Sequence, residues 1–177
     1  MSQWSHVAGI IRLDSLGIHV VRLPYDEKLK FVKEAIAKAL GSTCDFEDDV
    51  SVWEACGVPR GSEGSLQYRI IPNHDDATHS LSWGNIIIWG DLRDFESDEL
   101  STIKVWFQES LNRLRKPEHD KNPDDMTMRD KAESMLATFS IREAVLCMYA
   151  EAHTNKQPKT VLLVDGDSIK AVHAVVK

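Results

Sequence analysis

Histidine, acidic and arginine side chains gather at a few points of the sequence, and each gathering suggests a different chemistry. In "NHDDATH", His74, Asp75, Asp76 and His79 bring imidazole and carboxylate together, the usual ligands of first-row metals. No cysteine joins them and the run sits between periodic segments, so an exposed polar loop is the plainer reading and no metal ligand is assigned. In "GDLRD", Asp91 and Asp94 flank Arg93 where a strand gives way to a helix. Carboxylates there could act as acid and base, although local caps and ion pairs use the same residues. His6 could be a general base, or simply a hydrogen-bonded sheet histidine. In "GSEGSL", paired glycines pose the question of a phosphate cradle, which needs backbone N–H groups at a helix start and a cationic side chain. These glycines lead instead into the strand signature "LQYRI", and Glu63 would repel an anion. Gly61 and Gly64 are therefore read as turn residues, with Ser62 or Ser65 satisfying the turn. No Ser-His-Asp order, nucleophile elbow or dinucleotide fingerprint is present, so no catalytic residue and no cofactor are assigned.

The elements that must position these residues are legible from periodicity. Residues 5 to 13 alternate as a half-buried strand, and from Asp26 a helical stripe of Leu29, Val32, Ile36 and Ala39 or Leu40 runs to Gly41, with an N-cap candidate at its start. Residues 42 to 60 read as an irregular excursion in which "VSVWEACG" could turn Trp53 onto the core. "SLQYRII" and "NIIIWGDL" are β-rich and read as antiparallel strands. Ser97 caps a second helix striped by Leu100, Ile103, Phe107, Leu111 and Leu114 and stopped by Pro117. Residues 117 to 130 have the composition of a mobile loop, and "RDKAESMLATF" could add a short helix. "IREAVLCMYA" reads as a strand, with a helix as the alternative, and "KTVLLVDGDSIKAVHAVV" as a hairpin turning at Asp165 and Gly166. This order predicts an α+β fold, a ferredoxin-like split βαβ sandwich with two helices on one face of an antiparallel sheet and an added C-terminal β-hairpin.

If the helices cover Val7, Ile11, Ile86, Ile88 and Leu92, the other face carries His6, Ile10, Arg12, Asn85, Ile87, Trp89 and Asp91. That mixture suits a second core layer under the terminal hairpin or the 42–60 excursion, a homodimer interface, or a ligand platform. Tryptophan and arginine dominate binding once desolvated. The binding residues expected on this basis are His6, Arg12, Trp89, Asp91 and Arg93, with the loop Gly61, Ser62, Glu63, Gly64 and Ser65.

A chain of 177 residues, 42% apolar, is sized for one domain with its own core. A formal charge of -7 disfavours nucleic acid and anionic lipid, which are held through neutralised phosphates. The start "MSQWSHVAGI" resembles no signal peptide and no run is long enough for a membrane span, so a cytoplasmic protein is expected. Cys44, Cys56 and Cys147 show no C-x-x-C spacing and are read as reduced thiols used in packing.

At "WSHVAGIIRLD" (4–14), "GSEGSL" (61–66) and "GDLRD" (90–94), the chain resembles a family of small uncharacterised proteins from tailed phages and prophages. The resemblance implies a setting, the cytoplasm of an infected bacterial host, and stoichiometric action on a host enzyme, a defence component or a signalling nucleotide. The leading expectation is thus a non-catalytic accessory protein that binds a host protein or a small nucleotide-like molecule. The alternatives are a nucleotide or phosphoester enzyme, with His6, Glu63, Asp91 and Arg93 converging at one sheet end, and a virion or assembly component.

Overall fold

The computed structural model describes residues 4–41, 57–73, 82–94, 100–116, 123–151 and 159–164. Five strands form one sheet in the order β2-β3-β1-β4-β5: β1 Trp4–Asp14, β2 Gln67–Pro72, β3 Ser82–Arg93, β4 Ser140–Ala150 and β5 Lys159–Val164. Every neighbouring pair is antiparallel. The first strand lies at the centre, where its period-two alternation sorts side chains onto two faces. Ile10 stands opposite Ile87 on one side and Val145 on the other, so one parity runs unbroken across the sheet.

The buried parity is Val7, Ile11 and Leu13 of β1, Ile86, Ile88 and Leu92 of β3, and Ala144, Leu146 and Met148 of β4. These residues share one hydrophobic cluster with α2 (Tyr25–Leu40), α3 (Leu100–Arg115) and α4 (Met128–Ala137). Val32, Ile36 and Leu40 come from α2, Ile103, Phe107, Leu111 and Leu114 from α3, and Leu136 from α4. Each such aliphatic or aromatic side chain contributes roughly 1.5–3 kcal/mol by leaving water. From Ile103 to Leu114 the α3 stripe is the one the sequence spells out, with Trp106 added.

The C-terminus of α2 explains how this layer is held. Gly41 adopts φ 95°, a conformation glycine tolerates, and ends the helix. The last carbonyls would otherwise lack partners. Ala39 accepts from Arg113 Nη1 at 3.0 Å, Leu40 from Trp106 Nε1 at 2.8 Å, and Gly41 from Tyr68 Oη at 2.9 Å. Donors from α3 and β2 thereby converge on one helix end, and burial pushes the Tyr68 phenol above its ordinary pKa.

Several local expectations need correction. The N-cap of α2 is Pro24, which makes no side-chain cap hydrogen bond, and Asp26 lies in the first turn near the helix's positive end. A one-turn helix, α1 (Gly17–Val20), precedes it and was not anticipated, because four residues are too few to display a period. Its Gly17 lies so close to α4 that a Cβ would sit 2.3 Å from the Met135 carbonyl oxygen. Within the span assigned to a mobile loop, Pro123–Asp125 form a 3-10 turn and α4 starts at Met128. A capping box starts that helix: Asp130 N–H donates to Thr127 Oγ1 at 3.2 Å, and Thr127 N–H donates to Asp130 Oδ2 at 2.8 Å. The expected turn at "VSVWEACG", the Ser97 cap, the stop at Pro117, the "NHDDATH" loop and the turn and second arm of the terminal hairpin lie outside the described residues. Cys44 and Cys56 do as well.

Candidate functional site

The face opposite the helices is a grid of cross-strand rows. Trp89 and Arg12 share it, since Trp89 pairs with Ala8, four residues before Arg12 and of the same parity. Gln67, Trp89, Ala8 and Cys147 make one row, and Arg69, Ile87, Ile10 and Val145 the next. Trp89 is 41% exposed and Ile87 38%, whereas their neighbour Ile88 is 1% exposed. Cys147 is exposed on this face and does not pack in the core, because the alternation that buries Leu146 and Met148 turns it outward. Charged rows close the apolar band at both ends.

At one end, His6 Nδ1 lies 2.6 Å from Asp91 Oδ1 and His6 Nε2 lies 3.5 Å from Glu151 Oε1. The imidazole stacks on Tyr149 with centroids 6.0 Å apart. The hydrogen bond to Asp91, helped by Glu151 and opposed by partial burial, holds the His6 pKa above its ordinary 6.5. A raised pKa means that the pair stabilises the fold fully below pH 6.5 and loses that contribution as pH rises through the folded value. Exposure keeps the contribution small. An NMR titration is expected to place the His6 midpoint above 6.5, and Asp91→Asn should lower it. An unmoved midpoint in that variant would mean that the pair does not form in solution.

Beside it, the 61–65 loop is stitched to the end of β3. Gly61 N–H donates to the Gly64 carbonyl at 3.0 Å, Ser62 N–H to the Arg93 carbonyl at 2.9 Å, and Arg93 N–H to the Glu63 carbonyl at 2.9 Å. The Glu63 carboxylate accepts from the Arg93 guanidinium, and Ser62 Oγ lies 2.9 Å from Asp94 Oδ2. Ser65 bridges Arg60. Gly64 has φ 78°, and a Cβ on it would lie 2.0 Å from the Asp91 carbonyl oxygen. The glycine-flanked loop is thus a strand-edge clamp whose N–H groups at Gly61 and Ser62 are already spent.

The far end of the face holds Arg12, whose Nη1 lies 3.2 Å from Glu143 Oε2. Next to it Asp14 pairs with Arg142 at 3.1 Å, where β1 shifts register against both neighbours. Of the residues singled out in the sequence, His6, Asp91, Arg93 and the loop 61–65 therefore meet at one end, Trp89 stands in the middle, and Arg12 is apart. Glu151, Tyr149 and Glu143 were missed, since finding them needs the β1–β4 register. Asp14 and Arg142 went unnoticed for the same reason.

Both His6 nitrogens face carboxylates and the Arg93 guanidinium pairs with Glu63, so each of these two groups already has an acidic partner. Among the described residues, no group of three histidine, cysteine or acidic side chains could hold a metal ion, and no helix is long and apolar enough to cross a membrane. Fold and site together define an α+β protein whose antiparallel sheet is helix-backed on one side and presents a charged-rimmed apolar band on the other. No protein-family model, no curated protein and no solved structure matches the chain.

Proposed function

We propose that this chain is a non-catalytic binding protein whose working surface is the open face of the sheet. The observation that carries the reading is the exposure of Trp89 and Ile87 in adjacent rows with Ile10 and Val145, between two charged ends. An aromatic and aliphatic centre inside a polar rim is the composition of a binding hot spot. The scaffold is a ferredoxin-like split βαβ sandwich, a reading supported by the strand order β2-β3-β1-β4, and β5 is the first arm of a C-terminal hairpin. In the setting that the phage resemblance suggests, the chain is an accessory protein of the host cytoplasm. It occupies a host protein or a small nucleotide-like signalling molecule, to the effect of counter-defence.

The gathering of His6, Glu63, Asp91 and Arg93 favours a second reading, a phosphoester enzyme. Its weakness is electrostatic, because an incoming phosphate would meet Asp91, Glu63 and Glu151 around two cations that are already paired. Turnover of nucleotides or phosphoesters by the purified chain, lost on His6→Ala, would favour that reading over binding.

Replacing Trp89 and Arg12 together with threonine tests the binding reading. Self-association, and retention of host protein or nucleotide on the immobilised chain, are expected to weaken at least about 30-fold, the loss of one strong anchor. If both are unchanged, the open face is not the working surface.

A further inference from the structure

Resting on that reading, we propose that the occupant of the open face is a second copy of this chain, packed sheet to sheet about a two-fold axis that runs across the strands. Size is the first argument. Among the described residues the sheet has five strands, and strands about 4.8 Å apart with same-face rows about 6.7 Å apart give a described face of roughly 24 by 27 Å. That is about 650 Å², close to the ~800 Å² that each partner of a stable interface buries.

Shape is the second argument. With the axis between these two rows, which are apolar on β3, β1 and β4 and end in Gln67 and Arg69 on β2, the Trp89 row of one copy lies over the Ile87 row of the other. Ala8 then meets Ile10 and Cys147 meets Val145, small against large, as interdigitating sheets require.

Charge is the third argument and it sets the direction. One end of the face carries two carboxylates, Asp91 and Glu151, around His6, while the other carries Arg12 with Glu143. An axis along the strands would stack the acidic end on itself. An axis across the strands sets Arg12 of each copy over His6 of the other, with Asp91 and Glu151 to either side of it. Aligned sheets cross at about 30°, which displaces the outer rows by roughly one strand spacing, so Arg12 comes to rest beside Asp91 or Glu151. Opposite charges at such a rim fix register.

Sedimentation equilibrium tests this with charge exchange. The wild-type chain is expected at twice its mass of 20.0 kDa, and Trp89→Thr at 20.0 kDa with an unchanged circular dichroism spectrum. Arg12→Glu alone, and the Asp91→Lys/Glu151→Lys double variant alone, should each self-associate at least about tenfold more weakly. Mixed, they should restore the dimer, because both contacts in the mixed pair are then between opposite charges. All these substitutions fall on exposed side chains, and the mixing result stands even if Trp89→Thr fails to fold. A dimer that none of the variants weakens, or a mixture that does not recover, overturns the arrangement. A wild-type chain at 20.0 kDa when loaded at about 100 µM, where any tighter Kd would populate the dimer, overturns it too. That last outcome leaves the binding reading standing on retention of a partner, whereas retention unaffected by the Trp89/Arg12 pair removes the binding reading whatever the mass.

Discussion

Ile86→Ala is expected to lower the free energy of unfolding by roughly 2–5 kcal/mol, while Ile87→Ala, one residue along the same strand, lowers it by less than about 1 kcal/mol. Ile86 is fully buried opposite Ile11 and Ile70, so truncation removes apolar burial and leaves a cavity among side chains that β1, β2, α2 and α3 hold in place. Ile87 has the same chemistry and is the next residue of the same strand but points to the open face. The contrast isolates the face from propensity, since both positions lose the same β-branched side chain. Urea denaturation of the two variants in dilute solution measures it, and equal losses would mean that the open face is packed like a core layer.

Gly64→Ala is the second large effect, with an expected loss of at least about 2 kcal/mol. Its φ of 78° lies in the left-handed region, and the new Cβ would stand 2.0 Å from the Asp91 carbonyl oxygen, a contact with backbone that no rotamer relieves. Gly57 supplies the control, with φ 71° and, among the described residues, no atom nearer than 3.7 Å to a Cβ, so Gly57→Ala is expected to cost the backbone strain, about 1 kcal/mol. Thermal or urea unfolding of the two alanine variants reads the difference, which is the energy of seating the loop against β3. Equal losses would mean that the close approach to Asp91 does not exist.

The layers of this protein were legible in its sequence because each buried stripe has a clean period. Alternation in "SHVAGIIRL" and "NIIIWGDL" separated Ile11 and Ile86 from Arg12 and Ile87, and the spacing of Ile103, Phe107, Leu111 and Leu114 drew α3. The same alternation placed Cys147 outside, although a general expectation about cysteine had assigned it to packing. Thr127 and Asp130 spelled a capping box three residues apart, but the charged composition around them pointed to a loop. What could not be read is register. His6 and Asp91 are 85 positions apart, and Arg12 and Glu143 are 131 apart. Six residues along one strand already separate Arg12 from His6 by about 20 Å, but only the pairing of β1 with β4 shows that Arg12 sits with Glu143. The glycine loop was legible as a turn, from the strand signature that follows it and from Glu63, but its partner was not, since the hydrogen bonds run to Arg93 of β3.

If the Trp89 face serves contact, as proposed, folding does not need it. The free energy of unfolding of the Trp89→Thr/Arg12→Thr variant, measured against wild type in solution dilute enough to keep both monomeric, tests it most directly. A difference within about 1 kcal/mol is expected, as for exposed positions elsewhere. A loss of several kcal/mol would contradict it, because the face would then be an inner layer of the protein.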